Sequence, residues 1–134
     1  MNNNKLKQIK IIKMIVEGGD DSLWGRIEFE DNLIAEEAAT VEELQSKMKL
    51  LLLDFHGLEP DSYEFYIEYD LTAFFEQFHY LKVTKIAELA GLNGSLVRQY
   101  ATGKKFPSAK QAEKIEIALK KLANQLAHVH IYAH

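Results

Sequence analysis

The sequence predicts an α+β protein in two parts, an N-terminal βββαβ domain followed by an all-α helix-turn-helix domain. Before residue 70, β-branched or alternating apolar segments are separated by turn residues, which is typical of strands. After residue 70, apolar residues recur every three or four positions, which is typical of helices. The charge changes near the same place. Residues 1–79 hold 7 Lys/Arg and 17 Asp/Glu, a balance of −10, whereas residues 80–134 hold 9 and 3, a balance of +6. Such asymmetry predicts two modules with different partners.

The first three elements are predicted to be strands of a meander. Ile9–Val16 is mostly apolar and β-branched, and the turn residues 17–21 follow it. Leu23–Glu30 alternates apolar and polar residues, as a half-buried strand does. Asp31-Asn32 is expected to turn the chain into a third strand that begins at Leu33.

A helix and a fourth strand complete the first domain. Thr40-Val41-Glu42-Glu43 fits a capping box, and Gly57 is expected to end the helix that it begins. The predicted buried face of this helix consists of Val41, Leu44, Met48, Leu51, Leu52 and Phe55. Tyr63–Tyr69 alternates again, with Tyr63, Phe65, Ile67 and Tyr69 on one side of a strand. We expect the domains to span residues 1–69 and 70–134.

The second domain is predicted to contain a helix-turn-helix at residues 86–100. Asp70 can cap a preceding helix that holds Leu71, Phe74, Phe75 and Phe78. A short helix with apolar Ile86, Leu89 and Ala90 is expected to stop at Gly91, and Asn93 can cap the next helix. On that helix one face holds Leu96, Val97 and Tyr100, and the opposite face holds Ser95, Arg98, Gln99 and Thr102.

The chain is expected to end with a helix and a dimerisation tail. Ser108 begins a second capping box. The buried face of the last helix is predicted to consist of Ala112, Ile115, Ala118, Leu119 and Leu122. The tail Ala127–His134 alternates and predicts a short strand that needs a partner, such as the same strand of a second subunit. His128, His130 and His134 are expected to face solvent rather than to bind a metal.

The outward face of the second helix predicts sequence-specific binding to a double-stranded DNA operator. It is rich in hydrogen-bond donors and lacks carboxylates, as a helix in the major groove requires. Arg98 and Gln99 can contact guanine and adenine, and Ser95 can reach bases or phosphate. The residues expected at phosphates are Asn93, Thr102, Lys104 and Lys105. Binding to two half-sites predicts a homodimer or a higher even oligomer. The alternative is two helices of an ordinary bundle.

Several classes of function are excluded or disfavoured by composition. The absence of cysteine excludes disulfides, thiolate zinc sites and a cysteine nucleophile. Without a membrane-length apolar run or a signal peptide, we expect a cytoplasmic protein. The carboxylates that a magnesium-dependent nuclease would use are Asp20, Asp21, Glu28 and Glu30. No catalytic partner stands at a recognisable spacing, so we expect no enzyme activity, no cofactor and no metal.

The pattern at residues 86–108 resembles helix-turn-helix domains of the Cro and phage-repressor type. Its matching segments are Ile86-Ala87-Glu88, Gly91-Leu92-Asn93, Leu96–Tyr100, Gly103 and Pro107-Ser108. With the βββαβ domain ahead of it, the chain resembles HicB antitoxins over about residues 9–126. The resemblance places the start of the first helix near Lys82 rather than at Thr84. One departure is Phe29-Glu30-Asp31-Asn32-Leu33, which replaces the proline-rich strand-end motif of the family.

The resemblance implies an N-terminal domain with a partial ribonuclease H-like fold that blocks HicA, a small basic RNA-cleaving toxin. It also implies a C-terminal domain that binds the operator of the toxin–antitoxin genes. Carboxylates that can steer such a toxin are Glu28, Glu30, Asp31, Glu36 and Glu37, with Trp24 as an aromatic anchor. The alternatives are a buried Trp24 among solvated carboxylates, and a solitary HicB-like regulator without a toxin.

Overall fold

The computed structural model describes residues 9–134, which fall into two compact units, Met1–Gln77 and Phe78–His134. The division lies after Gln77 rather than at the predicted Tyr69–Asp70. The reason is that the helix after Asp70 is tied to the first strand. Asp70 Oδ1 accepts hydrogen bonds from the backbone N–H of Gly18 at 3.1 Å and of Ala73 at 2.8 Å. Asp70 therefore caps the helix, as predicted, and also anchors it to the first unit.

The first unit has the predicted order of elements with one helix added. Its elements are β1 (Lys10–Gly18), β2 (Leu23–Phe29), β3 (Asn32–Ala38), α1 (Val41–His56), a short 3-10 turn (Pro60–Ser62), β4 (Tyr63–Tyr69) and α2 (Leu71–Gln77). The sheet order is β3-β2-β1-β4. The β1–β2 and β2–β3 pairs are antiparallel, and β4 lies parallel to β1. The chain is thus α+β, with a mixed four-stranded sheet followed by helices.

The core of this unit lies between one face of the sheet and α1. From the strands, Met14, Val16 and Ile27 are fully enclosed, and from α1 so are Leu44, Met48 and Leu52. Gly25 permits the close approach, since a Cβ there would lie 2.6 Å from Leu44 Cδ2. Phe55, predicted to join this core, is 76% exposed. It lies one turn beyond Leu52, at the end of α1, where it lines a groove beside β3.

Local hydrogen bonds explain where α1 begins. The Glu43 N–H donates to Thr40 Oγ1 at 3.1 Å, as the capping box predicts. The Glu43 carboxylate accepts from the Ala39 N–H at 3.3 Å rather than from that of Thr40. The helix ends at Gly57, which has a φ of 63°. The sequence signals at both ends of α1 are therefore confirmed.

The β2–β3 turn comes one residue earlier than predicted. Glu30 (φ 49°) and Asp31 (φ 63°) form it, and β3 begins at Asn32. Two successive left-handed residues are typical of a type I′ hairpin turn, where Asn-Gly is the preferred pair. A Glu-Asp pair in this conformation costs on the order of 1 kcal/mol per residue.

Two tyrosines on β4 have perturbed acidity. Burial raises the pKa of Tyr63, and burial followed by the negative charge of Glu42 raises the pKa of Tyr69. Both phenols therefore stay protonated and neutral across the physiological pH range. They serve as packing groups on the core side of the sheet.

The second unit holds three helices around a small core. They are α3 (Val83–Ala90), α4 (Gly94–Ala101) and α5 (Ala109–Ala127). The core consists of Ile86, Ala87, Val97, Tyr100, Ile115 and Ala118. Lys82 precedes α3 as its N-cap residue, in line with the family pattern. Leu89, expected on the buried face, is 56% exposed because Ala87 faces inward beside Ile86.

The predicted terminal strand does not form within the described chain. Helix α5 continues through Ala127, and the His128 ring Nδ1 lies 2.8 Å from the Asn124 carbonyl oxygen. The Val129 N–H donates to the Leu126 carbonyl at 3.2 Å, so the chain is still turning where the strand was expected to run. Residues 129–134 have no regular structure. Among the described residues, no helix combines the length and the apolar composition that a bilayer span requires.

Candidate nucleic-acid interface and acidic sheet face

The α3–turn–α4 segment has the local geometry that its sequence predicts. Gly91 takes the left-handed conformation, with a φ of 70°, and ends α3. Asn93 Oδ1 accepts from the backbone N–H of Ser95 at 2.8 Å and of Leu96 at 3.2 Å. These bonds satisfy donors of the open first turn of α4 and fix the direction in which the helix leaves the turn.

Helix α4 presents one buried face and one exposed face. Val97 and Tyr100 are buried, whereas Ser95 and Arg98 are exposed. Within residues 9–134, no hydrogen bond or ion pair engages the Arg98 guanidinium, so its donors are free for a ligand. Gln99 is half-buried and lies at the border between the two faces. Only part of Gln99 is therefore accessible to a ligand.

The basic loop is held to the end of α4 by backbone hydrogen bonds. The Gln99 carbonyl accepts from the N–H of Lys104 at 2.9 Å and of Lys105 at 3.2 Å. Gly103, with a φ of 77°, makes the turn possible. Both lysine side chains are exposed. The loop thus places two cations next to the C-terminal end of α4.

Two predicted phosphate contacts also have structural roles. Asn93 Oδ1 is occupied by the cap, which leaves its Nδ2 as the available donor. Thr102 Oγ1 donates to the Arg98 carbonyl at 3.1 Å, which leaves its oxygen as an acceptor only. A phosphate needs donors, so Thr102 is a weak candidate and Asn93 a partial one. Phe106, absent from the predicted set, is 78% exposed beside Lys105, and an aromatic residue directly after two lysines was the sequence signal for it.

The second unit carries most of its positive charge without compensation. Phe78–His134 contains 9 Lys/Arg and 3 Asp/Glu, a balance of +6. In the described part of this unit, the one ion pair joins Lys85 to Glu88 at 3.4 Å, and it is solvent-exposed. Exposed pairs of this kind are weak. The unit therefore presents a net cationic surface to a polyanion.

The outer face of the sheet, opposite α1, brings together three of the residues predicted to bind a toxin. The strand register places Trp24 next to Glu37 and Glu28 next to Leu33. Trp24 is 48% exposed, so the alternative that it lies in the core is wrong. Glu28 and Glu37 are exposed on the same face. An aromatic side chain with flanking carboxylates is thus available for contact.

The other three predicted residues do not share this face. Glu36 points to the opposite side of the sheet, toward α1, and is half-buried. Its Oε1 accepts a hydrogen bond from the Glu37 N–H at 3.2 Å. Glu30 and Asp31 form the hairpin turn at one end of the sheet. The predicted set is therefore divided between the outer face, the turn and the α1 side.

The cations on the outer face are each paired with a carboxylate. Lys13 Nζ lies 3.3 Å from Glu68, and Arg26 Nε lies 3.0 Å from Glu17. Glu37 accepts a neutral hydrogen bond from Ser22 Oγ at 3.0 Å. The outer face thus keeps uncompensated negative charge around Trp24.

Of the four carboxylates considered for metal-dependent catalysis, Asp20 and Asp21 lie exposed between β1 and β2, Glu28 lies on β2 and Glu30 in the β2–β3 turn. Across residues 9–134, no group of three or more His, Asp or Glu side chains is arranged to hold a metal ion. Neither these aspartates nor the tail histidines therefore form a metal centre in this structure.

No protein-family model matches the chain, and no curated protein or solved structure matches it either.

Proposed function

We propose that this chain is a HicB-like antitoxin that represses its own operon. Its first unit neutralises a basic HicA-like RNA-cleaving toxin, and its second unit binds operator DNA through α4. The observation that carries the proposal is the α3–Gly91–Asn93–α4 segment, with an unpaired Arg98 on the outer face of α4 in a unit of charge +6.

The DNA-binding half of the proposal is supported by the side chains that α4 and the loop after it expose. Arg98 and Gln99 contact base edges, since their planar donors match guanine and adenine in the major groove. Lys104 and Lys105 contact phosphates and set the register. Ser95 lies at the first turn of α4, near the end where backbone donors favour an anion.

The toxin-binding half is supported by the outer face of the sheet. An RNA-cleaving partner needs a basic surface, and Glu28 and Glu37 attract such a surface. Trp24 supplies an aromatic anchor of the kind that dominates many interfaces. The Glu30-Asp31 turn stands where the family has a proline-rich motif, and this departure is the reason for the alternative of a solitary HicB-like regulator with no toxin.

Co-expression with the neighbouring reading frame tests the toxin-binding half. We expect a short basic reading frame beside this gene to arrest growth when expressed alone, and this chain to restore growth. Replacing Trp24 by Ala should reduce the rescue, whereas Phe106→Ala, which removes an aromatic side chain from the other unit, should not. Absence of such a frame, or growth arrest that this chain leaves unchanged, favours the solitary regulator.

Operator binding by a dimer is supported by an apolar stripe on α5, which we propose as the contact with a second copy. The stripe repeats with alternating spacings of three and four residues, as in a coiled coil, through Ala112, Ile115, Leu119, Leu122 and Leu126. Its first half packs inside the unit, but Leu126 is 60% exposed. The flanking positions are Ala118, Ala123 and Gln125, so the lysines of α5 lie off the stripe. An uncharged stripe suits contact between two second units, since other contacts between these two cationic surfaces place like charges together.

A charge on this stripe should abolish the dimer. We expect Leu126→Lys to be monomeric at micromolar concentration, because the change places an ammonium group from each copy in the contact. Asn124→Lys adds the same charge to the same helix outside the stripe and should remain dimeric. Sedimentation velocity without DNA measures both. If Leu126→Lys stays dimeric while Ile131→Lys becomes monomeric, the contact lies in the tail and not on α5.

A further inference from the structure

We propose that β3 is a docking strand, whose free edge accepts an extended segment of a basic partner protein as a fifth strand of the sheet. The inference deepens the proposed function, on which it rests for the identity of the natural partner. The site itself follows from backbone groups that the fold leaves open at Leu33 and Ala35.

One end of the β3 edge is covered by side chains. The Glu37 N–H donates to Glu36 Oε1 at 3.2 Å, and the Glu37 carbonyl accepts from Lys47 Nζ at 2.8 Å. Both backbone groups of Glu37 therefore point away from β2. Side chains that cover an edge in this way protect it from pairing with other chains.

The other part of the edge has no such cover. In an antiparallel pair, residues that point toward the neighbouring strand alternate with residues that point away from it. Since Glu37 points away from β2, Ala35 and Leu33 do so as well. Within residues 9–134, no hydrogen bond from a side chain or a loop reaches these two N–H groups or their carbonyls. The edge is thus covered at Glu37 and open at Ala35 and Leu33.

A groove with a mixed apolar and polar lining runs beside the open part of the edge. It has a volume of about 480 Å³, lies between β3 and the end of α1, and is lined by Asn32, Leu33, Ile34, Ala35, Glu36, Leu51, Phe55 and His56. Phe55 is strongly exposed there, whereas the exposed Leu33 side chain lies on the outer face beside Glu28 and contributes its backbone to the groove. Strand addition uses backbone hydrogen bonds for affinity and pockets for alternate side chains for specificity. The β3 edge supplies the first and the groove supplies the second.

The charge of the first unit selects a basic occupant. Met1–Gln77 carries 7 Lys/Arg and 17 Asp/Glu, a balance of −10. Glu36 lines the groove, and Glu30 and Asp31 form the turn directly before β3. Antiparallel pairing of β3 with β3 of a second copy, centred on Ile34, would place Glu37 opposite Asp31 at both ends. Like charges opposite each other destabilise a strand pair, so a segment with Lys or Arg fits better.

A model peptide tests the site without requiring a toxin or DNA. The probe is a blocked peptide of about eight residues in which lysine and valine alternate. On titration into the isotope-labelled full chain, we expect the amide signals of Leu33 and Ala35 to shift and their hydrogen exchange to slow. A peptide in which glutamate replaces lysine should not bind. If the lysine peptide does not affect these two amides, the proposal that β3 is a docking strand is refuted. The results expected in the growth-rescue and operator experiments do not change in that case.

Two variants assign the binding to the edge and to the groove. Ala35→Pro removes an outward N–H that no strand of the sheet uses, and we expect it to weaken peptide binding by about tenfold or more. Phe55→Lys should weaken binding through the groove even if Ala35→Pro fails to fold. Leu50→Lys introduces the same charge at an exposed apolar position of α1 that does not line the groove, and serves as the control. Strand addition would be contradicted if Leu50→Lys and Phe55→Lys weakened peptide binding equally. It would also be contradicted if the amide signal shifts were confined to the outer face around Trp24.

Discussion

Replacing Arg98 by alanine should weaken specific binding to the DNA upstream of this gene by about 1–3 kcal/mol and relax the preference at one base pair. The exposed guanidinium has no partner in the described chain, so its donors need not leave an internal bond to contact guanine. The fold should survive, because Arg98 contributes neither to the core nor to a cap. Fluorescence anisotropy with labelled duplexes gives the affinity, and circular dichroism verifies the fold.

Gln99→Ala should also weaken specific binding, and it tests the half-buried position. The bonds from Lys104 and Lys105 reach the Gln99 backbone carbonyl, so alanine keeps them. Lys120→Ala, which removes a cation from α5 outside the predicted interface, should reduce binding to operator and random DNA alike through the loss of charge. Operator affinity that is unchanged in both Arg98→Ala and Gln99→Ala would refute the role of α4.

Replacing Leu44 by alanine should lower the free energy of unfolding of the first unit by about 2–5 kcal/mol. Leu44 is fully buried, and it packs where Gly25 lets α1 approach β2. Truncation removes apolar contacts and leaves a cavity that the surrounding strands cannot fill. Urea unfolding followed by Trp24 fluorescence measures the loss, since Trp24 lies on β2.

Leu50→Ala is the matched control for Leu44→Ala. It makes the same chemical change on the same helix, but Leu50 is mostly exposed, so stability should change by no more than about 0.5 kcal/mol. Operator binding should persist in Leu44→Ala at temperatures where the second unit stays folded, because that unit has its own core. Equal destabilisation by the two changes would contradict the assignment of the core.

The regular elements were predictable wherever a local rule decides the structure. Alternation placed the strands, and the turn and cap chemistry of Thr40, Gly57, Gly91 and Asn93 placed the helix ends within a residue or two. These signals act over three or four residues, so a single sequence contains them. The end of the chain differed from its prediction. Helix periodicity continues past Leu122 to Leu126, and α5 extends to Ala127, although the alternation of Ala127–His134 had indicated a strand.

Features that depend on tertiary packing could not be predicted. The boundary between the units lies later in the chain than predicted, because Asp70 caps α2 and also accepts a hydrogen bond from the backbone N–H of Gly18, a residue far away in sequence. Because neighbouring residues of a strand face opposite sides, Glu36 and Glu37 had to separate, but which of them shares the face of Trp24 depends on the strand register. The exposed Phe55 and the partial coverage of the β3 edge arise from the position of α1 on the sheet. The cationic second unit, in contrast, was predictable from charge counts alone.

The most direct test of the account is a titration of the intact protein with duplex DNA from upstream of its own gene, compared with random duplex of equal length at several salt concentrations. We predict at least about 1,000-fold preference for the upstream DNA, with an affinity that falls steeply as salt rises. Nuclease footprints should show two protected half-sites about one helical turn apart. Equal affinity for both duplexes, or binding that does not respond to salt, would contradict operator recognition by α4.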